Sequence, residues 1–75
     1  MKKHRHTKGC RKLGQRLRKL REAREWTLQE AADAIRISKS HMWELEAGKN
    51  TNPTIGLMMS IAKQFDTSID ALVRP

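Results

Sequence analysis

Two helix starts lie close together, at Thr27 and Ser38, and they constrain this chain more than any other feature of its sequence. In Thr27-Leu28-Gln29-Glu30 the Thr27 hydroxyl can accept from the backbone N–H of Glu30, while the Glu30 carboxylate reaches back to the N–H of Thr27. This reciprocal capping box opens a helix and satisfies two donors that a helix start otherwise leaves unpaired. Leu28, Ala31, Ala32 and Ile35 follow at helical spacing as an inner stripe, and Trp26, just before the cap, is placed to staple against Ala31. The small alanines let another helix cross closely. The stripe breaks at Arg36-Ile37, and Ser38 supplies a second N-cap for Lys39-Ser40-His41-Met42-Trp43-Glu44-Leu45-Glu46-Ala47. Met42 and Leu45 face inward there, and Gly48 ends the helix. Two short helices joined by a turn of about three residues make a helix-turn-helix.

The rest of the chain is read around this pair. Leu13, Leu17, Leu20 and Ala23 recur at helical spacing with basic residues between them, which predicts a first helix running to about Arg24. Residues 1–10 lack apolar periodicity and read as a basic, flexible arm, leaving 11–75 as the folded domain. Asn50-Thr51-Asn52-Pro53 is a loop by composition. Thr54 caps a fourth helix carrying Ile55, Met58, Ile61, Ala62 and Phe65, and a short fifth starts near Ser68, with Asp70 in its first turn and Ile69, Leu72 and Val73 closing the core. The expectation is an all-α fold, a compact bundle of five short helices around a central helix-turn-helix. At 75 residues such a body buries only a modest core, so tight helix packing or self-association must support it.

Net charge is +8, and its placement is more informative than its size. Residues 1–24 carry 11 Lys/Arg and one acid, Glu22, whereas residues 25–75 carry five Lys/Arg and seven Asp/Glu. A basic arm on a slightly acidic body attracts a polyanion such as nucleic acid, although a solvated tail kept for solubility has the same pattern. The single Cys10 permits no internal disulfide and fits a reducing cytoplasm. No apolar run approaches the ~18 residues of a membrane span, and the basic start is not followed by the apolar stretch of a secretion signal. A soluble, cytoplasmic protein with no membrane partner is expected. His4, His6 and Cys10 lack a fourth ligand and a supporting shell, so neither metal nor cofactor is expected. No His or carboxylate is positioned to activate Ser38, Ser40 or Cys10 inside a pocket, and the chain does not read as an enzyme.

The run from Thr27 to Lys49 resembles the helix-turn-helix of the phage repressor, Cro and Xre family. Asn52-Pro53-Thr54 and Phe65-Asp66-Thr67-Ser68-Ile69-Asp70-Ala71-Leu72 are similar to its later part, so the resemblance spans roughly residues 13 to 73. It implies a lambda-repressor-like fold whose second helix braces across the DNA backbone while the third enters the major groove. By matching position it makes Lys39, Ser40 and Glu44 base-edge readers, with His41 and Trp43 beside them. Lysine can donate to guanine O6 and N7, serine can donate or accept, and glutamate can accept from cytosine N4. Gln29, Ser38, Arg36, Lys49 and Asn50 are placed for phosphates, and Lys2, Lys3, Arg5 and Lys8 of the arm for the DNA backbone or a groove. Arg21 and Glu46 match an internal salt bridge that is structural before it is functional, and Phe65, Asp66, Ile69 and Leu72 mark the expected dimer neighbourhood.

Two positions depart from the family. Leu28 stands where a phosphate-binding Gln is usual, with Gln29 one residue later. Arg36 stands where the turn usually has Gly, so either the turn differs or Arg36 accepts a left-handed backbone at about 1–2 kcal/mol. Trp43 is a third oddity, because Met42 and Leu45 already take the inner face. An outward tryptophan marks a contact surface, here a deoxyribose, a thymine methyl or a neighbouring helix.

The leading functional expectation is a dimeric repressor or autoregulator that reads a palindromic double-stranded operator, with half-sites ~34 Å apart and no small-molecule effector. An antitoxin or accessory factor would instead need a further apolar patch, for which Leu57, Met59 and Val73 are the spare residues. RNA binding through the arm is permitted by charge, but the chain offers few aromatic platforms.

Overall fold

A computed structural model describes residues 4–49 and 53–74, with side chains described from Arg11 onward. Its helices are α1 (His4–Ala23), α2 (Leu28–Ile35), α3 (Lys39–Ala47), α4 (Ile55–Gln64) and α5 (Ile69–Val73), and no strand occurs among the described residues. The helices after α1 start where the hydroxyl residues place them. Thr27 accepts from the Glu30 amide at 3.0 Å, Ser38 from His41 at 3.0 Å, Thr54 from Leu57 at 3.1 Å and Ser68 from Ala71 at 3.0 Å. The Thr27 amide donates to Glu30 Oε1 at 2.7 Å, which completes the capping box.

The helix ends share one geometry that the sequence shows less openly. After α1, α2, α3 and α4 the backbone turns left-handed, at Glu25 (φ 58°), Arg36 (63°), Gly48 (77°) and Asp66 (53°). The next amide then returns to a carbonyl of the last helical turn: Trp26 to Arg21, Ile37 to Ala32, Lys49 to Glu44 and Thr67 to Ala62, all at 2.9–3.1 Å. This is the Schellman arrangement, which satisfies carbonyls that a helix end leaves open. Glycine, which adopts the conformation without Cβ strain, fills only the turn after α3. Arg36 therefore keeps the expected turn and carries its steric cost, about 1–2 kcal/mol.

Leu13 and Leu17 of α1, Ala31, Ala32 and Ile35 of α2, Met42 and Leu45 of α3, Met58 and Ile61 of α4, Phe65 and Leu72 form one buried core. No charged or polar residue is buried with them among the described residues. The α1–α3 crossing is the most extensive helix contact, and Gly14 makes it possible. A Cβ at Gly14 would lie 2.4 Å from the Glu46 carbonyl oxygen and 2.5 Å from that of Leu45. A guanidinium nitrogen of Arg16 donates to the Leu72 carbonyl at 2.9 Å and so ties α1 to the end of α5.

Several expectations are corrected. α1 begins at His4, so residues 4–10, read as an arm, have helical backbone. The stretch contains no proline, and its Lys, Arg and His residues tolerate a helix that the packed part of α1 extends. Ile55, expected in the apolar stripe of α4, is 69% exposed because it lies at the edge of that stripe, one turn before Met58. Val73 is 55% exposed rather than closing the core, since its neighbour Leu72 takes the inner direction of α5. Leu72 closes the core as expected and Phe65 is interior with it, so of the expected dimer neighbourhood Asp66 is exposed and Ile69 half-buried. Trp26 leans on Phe65, ring centroids 5.5 Å apart and tilted by 58°, and the Arg24 guanidinium lies over both rings.

Candidate nucleic-acid interface

Successive residues of a helix are separated by about 100° around its axis, so burying Met42 and Leu45 decides what α3 shows to solvent. Lys39, Ser40, Trp43 and Glu44 take the outer arc and are exposed, Trp43 by 50%. Together with Leu28, the first residue of α2, these four line a single open cleft. A lysine donor, a hydroxyl, a carboxylate acceptor and an apolar wall are thereby gathered on one side of the helix-turn-helix.

His41 is separated from them. It points the other way round α3 and lines a depression with Ile35, Ile37, Pro53, Thr54, Gly56, Leu57 and Ser60, against the start of α4. Its amide donates to Ser38 Oγ, which commits one lone pair of Ser38 to capping and leaves the hydroxyl proton able to donate. Gln29 is exposed in the first turn of α2, where its side-chain amide donates to Asp33 Oδ1 at 2.9 Å. Arg36 and Lys49 are exposed in the turns on either side of α3, and the Lys49 ammonium lies 5.8 Å from the Trp43 ring centroid. Asn50, Lys2 and Lys3 lie outside the described residues, as do the side chains of Arg5, Lys8, His4, His6 and Cys10. Among the described residues no group of His, Cys, Asp and Glu is spaced to hold a metal.

Behind this face, Arg21 holds α3 to α1. Its guanidinium donates to both oxygens of Glu46, at 2.6 and 3.1 Å, and to the Trp26 carbonyl at 2.8 Å, with side chains only 14% and 9% exposed. The hydrogen bond to Glu46 raises the Arg21 pKa above its ordinary value, outweighing the opposing effect of burial. The fork fixes both the end of α3 and the turn that leads into α2.

Three contributors escaped the sequence reading. Leu28, assigned to the inner stripe, is half-buried and also walls the outer cleft. Arg18 pairs with Glu22 at 3.1 Å and lines the other side of Trp43 with Arg21, Leu28, Glu46 and Ala47. Gly14 sets the depth at which α3 rests on α1, and a glycine inside an apolar helical repeat was the available signal.

Five helices with a capped two-helix unit, whose second member shows a polar face rimmed by cations, define a helix-turn-helix domain. The family model described as a helix-turn-helix domain matches residues 12–74, and the chain belongs to that family. Similar proteins include the HTH-type transcriptional regulator SinR of Bacillus subtilis (strain 168), 28% identical over 61 residues, which are 81% of this chain and 55% of that protein. Another is the HTH-type transcriptional regulator DdrOP3 of Deinococcus deserti, 36% identical over 62 residues, 83% of this chain and 47% of that protein. The chain thus spans about half the length of the curated relatives it matches. Among the described residues no helix is long and apolar enough to cross a membrane.

Proposed function

We propose that this chain is a sequence-specific double-stranded DNA-binding protein that regulates transcription in the cytoplasm, with α3 entering the major groove. The observation that carries the reading is the division of α3 into a buried Met42–Leu45 face and an exposed face of Lys39, Ser40, Trp43 and Glu44. Lys39 and Ser40 lie in its first turn, the part of a recognition helix that meets base edges. Arg36 and Ser38 before α3 and Lys49 after it would contact phosphates, with Gln29 and Asn50 as further backbone contacts and Lys2, Lys3, Arg5 and Lys8 adding salt-dependent affinity.

One such unit covers too little DNA for high specificity, so a homodimer on a palindromic operator, acting as a repressor, completes the proposal. With Phe65 and Leu72 interior, the surface of the α4–α5 region offers Asp66, Ile69 and Val73, the last two four residues apart on α5. Ile55 and Met59, exposed by 69% and 58% and four residues apart on α4, favour a second reading in which a partner protein also docks.

Selection from a randomised duplex pool at moderate salt, with wild type and Lys39→Ala in parallel, tests the proposal. A two-fold symmetric motif that Lys39→Ala loses or relaxes is the expected result. No motif, with retention that merely follows salt, refutes DNA reading by α3.

A further inference from the structure

Leu28 and Trp43 give the reading face a feature that its polar residues do not explain. Trp43 is 50% exposed although α3 already has Met42 and Leu45 for the core, and Leu28 comes to it from the neighbouring helix. The two side chains share two clefts, one with Lys39, Ser40 and Glu44, the other with Arg18, Arg21, Glu46 and Ala47. The Lys49 ammonium, 5.8 Å from the ring centroid, helps hold the indole in place. An apolar wall is thus set between a cation and a carboxylate, on the helix proposed to enter the groove.

Base faces are stacked inside a duplex and out of reach, so a major groove offers one kind of apolar group, the 5-methyl of thymine. A protein surface would equally match an apolar wall, but Lys39, Ser40 and Glu44 around it retain charge and polarity that a buried protein contact depletes. Glu44 in the same cleft is an acceptor suited to an exocyclic amino group, such as the N6 of the adenine paired with that thymine.

We propose that Leu28 and Trp43 together seat the 5-methyl group of one thymine in each half-site, making this pair a specificity determinant beside Lys39. The inference rests on the DNA-reading proposal above and adds to it which base is read through apolar contact and by which residues.

Uracil differs from thymine only by the missing methyl, so the test needs no change to the protein. In the selected duplex each thymine is replaced in turn by uracil, and affinity is measured for wild type, Trp43→Ala and Leu28→Ala, with thermal melting to confirm that the variants fold. Uracil at the one position in both half-sites is expected to weaken the wild type by roughly ten- to twentyfold, about three- to fivefold for each of the two buried methyls lost. Both variants should bind thymine and uracil duplexes alike. A motif with no thymine opposite α3, uracil substitution without effect, or the same uracil penalty in wild type and variants would overturn the seat while leaving DNA reading intact. Absence of any motif in the pool would remove both. If Trp43→Ala keeps its uracil penalty and full DNA affinity but loses a protein contact, the pair is a protein-docking site instead.

Discussion

Replacing Gly14 with alanine should destabilise the domain, although propensity alone argues the opposite. An interior helical Gly→Ala change favours the helix by about 1 kcal/mol. Here the new methyl would meet the Glu46 and Leu45 carbonyl oxygens at 2.4 and 2.5 Å, whereas ordinary contact begins at 3.4 Å. Those obstacles are backbone atoms of α3, and relief requires α1 and α3 to part by about an ångström. A gap of that size forfeits a quarter to a half of the dispersion energy of each contact it opens, and Leu13, Leu17, Met42 and Leu45 are all buried in the shared core. Overpacking of about 2–3 kcal/mol, offset by the propensity gain, leaves a net loss of roughly 1–2 kcal/mol. In a domain this small that lowers Tm by roughly 5–15 °C, measured by circular dichroism melting. Gly56→Ala is the matched control, since the nearest atom to a Cβ there is Thr54 Oγ1 at 3.9 Å. It should be neutral or stabilising by up to about 1 kcal/mol. Equal, favourable effects at both sites would refute the close α1–α3 crossing.

Other changes probe the caps, the turns and the salt bridge. Arg36→Gly relieves a residue held at φ 63° and should raise Tm by several degrees, while DNA affinity falls if the arginine meets a phosphate. Thr27→Ala removes one arm of the capping box and should cost about 1 kcal/mol in denaturant unfolding, without abolishing α2. Glu46→Gln leaves the Arg21 guanidinium, 14% exposed, without its carboxylate and should cost about 2–4 kcal/mol, whereas replacing both residues with apolar ones of similar volume should cost much less. Because the folded-state pKa of Arg21 is raised, its contribution is complete below the unfolded-state value and lost only as pH climbs through the raised one. That lies far above neutrality, so titration of Arg21 should leave stability flat between about pH 6 and 8, which melting across that range checks.

The helix starts were legible because hydroxyl caps act locally: Thr27, Ser38, Thr54 and Ser68 need only the amide three residues on. The interior was legible in the same way where one stripe faced one neighbour, as at Leu17, Ala32 and Met42. Sequence failed where a tertiary neighbour decides. Periodicity admits Ile55 to the stripe of α4, but only the packed bundle shows that nothing covers it. Periodicity gives Phe65 to the interior, but not its neighbours there, the Trp26 ring and the Arg24 guanidinium, which come from the turn after α1. Left-handed ends at Glu25 and Asp66 carry no glycine to announce them, although local return hydrogen bonds, Trp26 to Arg21 and Thr67 to Ala62, close both turns. On the candidate site, the outer arc of Lys39, Ser40, Trp43 and Glu44 follows from helical geometry once the inner face is known. The contribution of Leu28 does not, because it belongs to the crossing of two helices.

Amide and indole NMR shifts of labelled protein, recorded as the selected duplex is added, test the central claim most directly. The account expects the largest changes at Lys39, Ser40, Glu44 and the Trp43 indole N–H, with smaller ones at Leu28, Arg36 and Lys49 and little at Ile61 or Leu72. Changes centred on α4 and α5, with the Trp43 indole unmoved, would contradict it and show that DNA is bound without α3 as its reader.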